Sequence, residues 1–348
     1  MVKIAKPFIT KGDESPAYWQ IGNLWQVMAT GVQTDNAFTL LDQIVHTGGG
    51  GGPVTHTHTQ DEGLFVIAGH CTFNAGGHQG LPGPPGTLVC VPGDCEHSFT
   101  VDDADSHILN FYLPAGFEQL LIGLAHPAPE RKPPPQDKIA EMMAPPWLAE
   151  KLSKDYGEDS VLGNPFVDLP DPEKMLTRPT PGATIFPFTA NAKDLPSLSG
   201  MGGHWTVLAS GAQTGGSYCL TDVRFARGVV VAPRIYSMEK DEMFYVLEGN
   251  LTFLLADKIA TAEQGSFVYI PNGTVYAVRV DSDEARCLNI HTRSGFERLL
   301  ELACEASSPG KSVSFAGAEN KKVDAGARAR LLLSIGLTEL AVPNPLDS

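Results

Sequence analysis

The residues best equipped for chemistry stand in "THTHTQDEGLFVIAG", residues 55 to 69, where His56 and His58 are one residue apart and Glu62 follows four later. On a strand, alternate side chains share a face, so a regular strand would carry all three groups to one side. A fourth candidate comes from "PGDCEHSF": Pro92, Gly93 and Asp94 predict a tight turn, and His97 opens the next strand, where a barrel would bring it opposite the pair. Neutral imidazoles with one carboxylate suit a divalent first-row transition metal and leave coordination positions open, as in a catalytic rather than a structural site. Such a set accepts Fe, Cu, Ni or Mn without choosing among them.

His46, His70, His78, His107, His126, His204 and His291 lack ligand spacing and are read as surface or hydrogen-bonded core histidines. Cys71, Cys90, Cys95, Cys219, Cys287 and Cys304 lie in apolar runs with no C-x-x-C pair, which predicts reduced, buried thiols. The glycines of residues 48–52 have no lysine and no following helix, so a loop at a barrel mouth is expected rather than a phosphate cradle. The sequons at Asn250 and Asn272 are read as chance matches.

The elements that must position these groups occur twice. "WQVMATGVQT" from Trp25 returns as "WTVLASGAQT" from Trp205, and "DEGLFVIAGHCTF" from Asp61 as "DEMFYVLEGNLTF" from Asp241, both at an offset of 180. "GTLVCVP" from Gly86 returns as "GSFVYIP" from Gly265, and "GFEQLL" from Gly116 as "GFERLL" from Gly295, at 179; "NP" recurs at Asn164 and Asn344. The chain is a duplicated unit. Short segments such as "AFTLLDQIV", "GLFVIAG" and "HILNFYL", rich in β-branched and aromatic residues and bounded by Gly, Pro and Asp, predict an all-β antiparallel sandwich or barrel in each unit. Phe117, Leu120 and Leu121 predict a helix after each "GFE", "HPAPERKPPP" an extended spacer, and "QDKIAEMM" and "WLAEKLSKDYG" short helices. The expected organisation is a barrel over 1–122, a Pro-rich and helical linker over 123–190, a second barrel over 191–304 and a helical tail over 305–348.

Composition excludes several partners. Lys and Arg number 25 against 40 Asp and Glu, and a net charge of −15 repels nucleic acid and anionic membrane surfaces. The start lacks an apolar signal region, no run of about 18 apolar residues follows, and a cytoplasmic protein is expected.

The spacing Gly50-x5-His56-x-His58-x3-Glu62-x6-Gly69, followed by Gly86-x5-Pro92-x4-His97, resembles the two signature motifs of the cupin superfamily. The resemblance implies two jelly-roll barrels, with a metal held by His56, His58, Glu62 and His97. The chain departs from the motif at Asp94, where cupins often carry Gly, and at Val101, where they often carry Asn. In the second unit, Tyr236, Met238, Glu242 and Tyr276 replace the four ligands, a poor donor set for a divalent metal, so one metal per chain is expected. Gly249 and Gly273 are retained for turns, and Gln33 and Gln213 recur for a structural reason.

An intact first site beside a degenerate second resembles the quercetin 2,3-dioxygenases. That likeness implies O2 as co-substrate, Glu62 as catalytic base and an enolisable aromatic or polyketide-like substrate; the duplication makes a monomer self-sufficient, while the cupin resemblance leaves a homodimer open. Strand alternation predicts Leu64, Val66 and Phe99 as apolar pocket walls or as ordinary core. The competing readings are a cupin decarboxylase, isomerase or cyclase, and a non-catalytic ligand-binding cupin.

Overall fold

Residues 5–20, 22–45, 55–102, 106–156, 159–160, 185–237, 239–307, 324–340 and 345–347 are described by a computed structural model, and they form two compact units. His46, the glycine run at 48–52, Met238, the "NP" pair at Asn164 and the Asn344 of the second pair lie outside the described residues.

In the first unit the chain builds an eight-stranded antiparallel sheet. Its order is His126–Pro127, Ala17–Gln20, Asn23–Ala29, Thr39–Val45, Ser106–Leu113, Asp61–Ala68, Thr87–Val91 and Phe188–Asn191. A five-stranded sheet runs Asp159–Ser160, His56–Thr57, His97–Val101, Cys71–Ala75 and His78–Gly83. Alternation drives the packing: Leu64 and Val66, Val89 and Val91, and Ile108 meet Cys71, Phe73, Ala75 and Phe99 of the smaller sheet in one apolar cluster. Each Leu, Val, Ile or Phe side chain of this cluster contributes roughly 1.5–3 kcal/mol on burial.

The second unit repeats the plan. Its larger sheet has Ser266–Ile270, Glu242–Glu248, Glu284–Thr292, Tyr218–Ala226 and Gly203–Ala209 in consecutive order. Its smaller sheet centres on Leu251–Leu255, Tyr276–Val280 and Val230–Ser237. Phe225, Phe244, Phe253, Val223, Val246 and Val278 belong to its core.

The repeated motifs prove to be fasteners. Gln33 Oε1 accepts from Thr30 N and Oγ1, and Gln213 Oε1 accepts from Ser210 N and Oγ in the same way, each closing a loop between strands. The glutamate of "GFE" does a second job. Glu118 accepts from Gly31 N, Thr39 Oγ1 and Gly116 N, and Glu297 from Gly211 N and Gly295 N, tying the start of each helix to that loop. The helices are Glu118–Leu124 and Phe296–Ala303.

Three boundaries differ from the sequence expectation. Phe8–Lys11 belongs to the second unit, where it pairs with Ser266–Ile270 as an edge strand, not to the first. The expected linker is largely part of the first unit: the helix Pro146–Tyr156 brings Leu152 and Tyr156 against the cluster of Trp25, Phe117 and Leu120. The Pro-rich segment is extended but fastened, because Trp19 Nε1 donates to Lys132 O and Arg131 to Gly12 O and Gln26 Oε1. The tail, expected to be helical, supplies strands as well: Glu305–Ser307 and Leu337–Glu339 flank the helix Ala325–Ser334.

Candidate metal centre

The four sequence-predicted ligands come together, by a route that differs from a single regular strand. His56–Thr57 pairs in the five-stranded sheet, the chain bends through residues 59 and 60, and Glu62 lies in Asp61–Ala68 of the eight-stranded sheet. The histidine pair and the glutamate therefore converge from the two sheets. His97 is the direct cross-strand partner of His56, so it stands beside that residue in the same sheet.

Backbone contacts lock the two motif segments together. Asp94 N donates to His58 O at 2.7 Å, and Gly93 N to Asp61 Oδ1 at 2.9 Å. A Cβ at residue 93 would lie 2.3 Å from Thr59 O, so only glycine fits. Asp94 adopts φ of 62°, a left-handed conformation that aspartate tolerates, which accounts for the departure from glycine there.

His58 Nδ1 lies 3.0 Å from Gln60 O and His97 Nδ1 2.9 Å from Cys95 O. A ring nitrogen facing a carbonyl must carry the proton, so each imidazole presents Nε2 to the centre. The ligand atoms of His56, His58 and His97 all lie within 4.8 Å of one another. Glu62 Oε2 sits 3.2 Å from His58 Nε2 and 2.8 Å from His97 Nε2. All four residues are buried.

The electrostatics fit a cation. Burial pushes the Glu62 carboxyl up, but hydrogen bonds and charge from His58 and His97 outweigh it and hold the group well below the usual carboxylate range. Burial pushes His97 down, and the Glu62 carboxylate outweighs it and raises it. Glu62 Oε2 thus lies against two imidazole nitrogens, a set of groups that would hold a divalent cation. Among the described residues, His97 Nε2 is buried without a hydrogen bond of acceptable geometry despite its nearness to Glu62. A donor set with converging Nε2 atoms and an ionised carboxylate fits a first-row divalent metal.

Two aromatic residues complete the site, and neither was assigned from the sequence. Tyr112 is the cross-strand partner of Glu62 and hydrogen-bonds its carboxylate; burial, and then the charge of Glu62, push its phenol well above the ordinary value. Phe117, just before the "GFE" helix, lies 4.5 Å from the His58 ring and 4.9 Å from that of Tyr112. The available signal was the repeat itself: at an offset of 179, Tyr112 aligns with His291 and Phe117 with Phe296. Leu64, Val66 and Phe99 are buried members of the cluster between the sheets.

The second unit places Glu242 opposite His291 on the neighbouring strand. Tyr276 Oη donates to Glu242, Asn289 Nδ2 donates to Glu242 Oε1 at 2.9 Å, and His291 Nε2 lies 3.0 Å from Asn289 Oδ1. Burial pushes the Glu242 carboxyl up to about 8 against the Asn289 hydrogen bond, and burial with the nearby Lys240 charge pushes His291 down to about 3. Among the described residues, the cluster able to hold a metal is His56, His58 and His97. His291 is a hydrogen-bonded core residue stacked 4.3 Å from Phe296. The cysteines are thiols rather than disulfides, all of them buried except the half-buried Cys95. No helix among the described residues is long and apolar enough to cross a membrane.

Two similar antiparallel sandwich units in one chain, one carrying a centre of three histidines and a glutamate between its sheets, define a bicupin. The chain is similar to bicupins of the quercetin 2,3-dioxygenase type, and part of it matches a cupin domain. The model of the Cupin domain matches residues 222–291, which lie in the second unit. Over 301 residues the chain is 22% identical to quercetin 2,3-dioxygenase from Bacillus subtilis (strain 168), covering 84% of each protein. Among solved structures it is similar to oxalate decarboxylase from Bacillus subtilis at pH 4.6, with a TM-score of 0.54, 12% identity, and 84% of this chain and 78% of that one covered. A second structure of the same enzyme, from work on its Mn(II) centres, gives a TM-score of 0.55 at 13% identity, with the same coverage. At these identities the structural likeness is one of fold.

Proposed function

We propose that the protein is a metal-dependent dioxygenase that uses O2 to cleave an enolisable aromatic, flavonol-like or polyketide-like small molecule. The observation that carries this reading is the placement of an ionised, buried Glu62 among three converging imidazoles in one unit, beside a copy of the fold that lacks them. The curated relative named quercetin 2,3-dioxygenase supports it.

His56, His58 and His97 would hold the metal, with Glu62 as a fourth donor or as a base beside it. Bound there, a divalent transition metal would supply Lewis acidity and a partner for oxygen chemistry. Glu62 would accept the enol proton on a carboxylate oxygen, since an enol must lose its proton before its ring carbon becomes electron-rich. The Tyr112 hydroxyl would hold that carboxylate in one orientation, and Phe117 would keep the His58 ring from turning. The fully buried setting keeps bulk water from competing for the proton.

The test is O2 uptake by purified, metal-analysed protein supplied with quercetin. The reading expects uptake with release of carbon monoxide, and loss of turnover by roughly 100-fold or more in Glu62→Gln that still contains metal. A metal-loaded Gln variant working at the parental rate would remove Glu62 as base. Release of CO2 from a carboxylate substrate without O2 uptake would replace the dioxygenase with a decarboxylase.

A further inference from the structure

Asn110 and Asn289 hold the same place in the two units, facing Leu64 and Phe244 respectively across the pair with the glutamate-bearing strand. Two of the diagonal neighbours of each asparagine on its own face of the sheet matter here. One is the glutamate, Glu62 or Glu242; the other, on the strand at its opposite side, is Gln43 in the first unit and Val223 in the second. Diagonal neighbours are within reach of long polar side chains. The two asparagines choose differently. Asn110 Nδ2 donates to Gln43 Oε1 at 2.9 Å, whereas Asn289 Nδ2 donates to Glu242 Oε1 at 2.9 Å.

Gln43 is fully buried, and among the described residues its Nε2 has no hydrogen-bond partner. An unmet buried donor is destabilising, and valine in the copy shows that the sheet does not require an amide at this place. Its retention needs a reason other than packing.

We propose that Gln43 is a positioning residue that keeps Asn110 turned away from Glu62, a proposal that rests on the metal-centre reading above. An amide donor on a carboxylate oxygen draws electron density from it and makes it both a weaker ligand and a weaker base. With Asn110 engaged elsewhere, Glu62 Oε2 stays against His58 Nε2 and His97 Nε2, with Tyr112 opposite it on the neighbouring strand. Glu242 illustrates the other choice, a carboxyl fastened by Asn289 and Tyr276.

The test uses full-length protein carrying Gln43→Val, with Gln43→Met as a second variant that keeps the side-chain length, and the double variant Gln43→Val/Asn110→Ala. Mn(II) affinity is read by titration, the Mn(II) electron paramagnetic resonance spectrum is recorded, and O2 uptake with quercetin is measured on the same samples. The expected result is folded protein melting at or above the parent, Mn(II) affinity about tenfold weaker, and a fall in kcat with KM little changed. Removing the asparagine in the double variant should restore affinity to within about twofold of the parent; a packing defect at residue 43 would not be repaired that way. Parental affinity and spectrum in both single variants, or a double variant no better than Gln43→Val, overturns the proposal. Because Mn(II) affinity needs no turnover, a parent that binds Mn(II) but consumes no O2 removes the dioxygenase reading and leaves this comparison decisive.

Discussion

The two units carry the same glutamate and asparagine on the same strands and put them to opposite use. The first surrounds Glu62 with imidazoles, groups that take up a positive charge or a metal, and Glu62 is held as an anion. The second surrounds Glu242 with a phenol, an amide and one buried imidazole, His291, itself pushed down to about 3, and the Glu242 carboxyl is pushed up to about 8. Tyrosine and histidine have changed places: His97 corresponds to Tyr276 and Tyr112 to His291. A barrel interior therefore does not fix the ionisation of a buried carboxyl. The number of imidazoles against it, and whether burial holds them neutral, does.

The sharpest way to break this contrast is to remove a ligand. His97→Ala should lower metal affinity by roughly 100-fold or more, while Tyr276→Phe should leave the metal content of purified protein unchanged; elemental analysis of the two variants decides it. Next in size is the loss of turnover in Glu62→Gln set out above.

A smaller effect concerns pH and the second unit alone. The Glu242 carboxyl is raised from its ordinary 4.5 to about 8, so the unfolded chain releases this proton first as pH rises between those values, and folding stability falls across that window. Glu242→Gln should remove the loss, gaining on the parent by an amount on the order of 1–3 kcal/mol between pH 5 and pH 9. Denaturant melts at the two pH values measure it, and a constant difference between variant and parent would show that Glu242 does not titrate in this way. The smallest effect should be the same in both units: Gln33→Ala and Gln213→Ala each lose two hydrogen bonds of one loop and should cost about 0.5–1.5 kcal/mol apiece. Unequal costs would mean that the two loops are not doing equivalent work.

Much of this was legible in the residues. The duplication, the strand-rich character and the set of His56, His58, Glu62 and His97 follow from spacing and repetition, because ligand motifs and turns are local. Tyr112 was not, since its role depends on which strand lies beside Asp61–Ala68, and strand pairing is a long-range fact. Gln43 escaped for the same reason: its meaning appears only when its diagonal neighbour Asn110 is compared with Asn289. The crossing between sheets after Thr57 was hidden because "HTHTQDE" alternates like one continuous strand. The packing of Pro146–Tyr156 onto the first unit was likewise unreadable, as a short helix beyond a Pro-rich stretch looks like a spacer until Leu152 finds the neighbouring helix.

The edge strand Phe8–Lys11 has a consequence for biogenesis. It completes the larger sheet of the second unit, pairing Phe8 with Tyr269 and Lys11 with Ser266, yet the ribosome makes it before any strand of the first unit. During synthesis this segment must wait, unpaired, while the first unit emerges, and the second cannot close its sheet until its own earliest residues return. Ser266–Ile270 meanwhile presents an open edge of apolar residues, the kind of surface that recruits a stray strand from another chain. Elongation speed and chaperone occupancy late in translation would therefore govern the yield of the second unit.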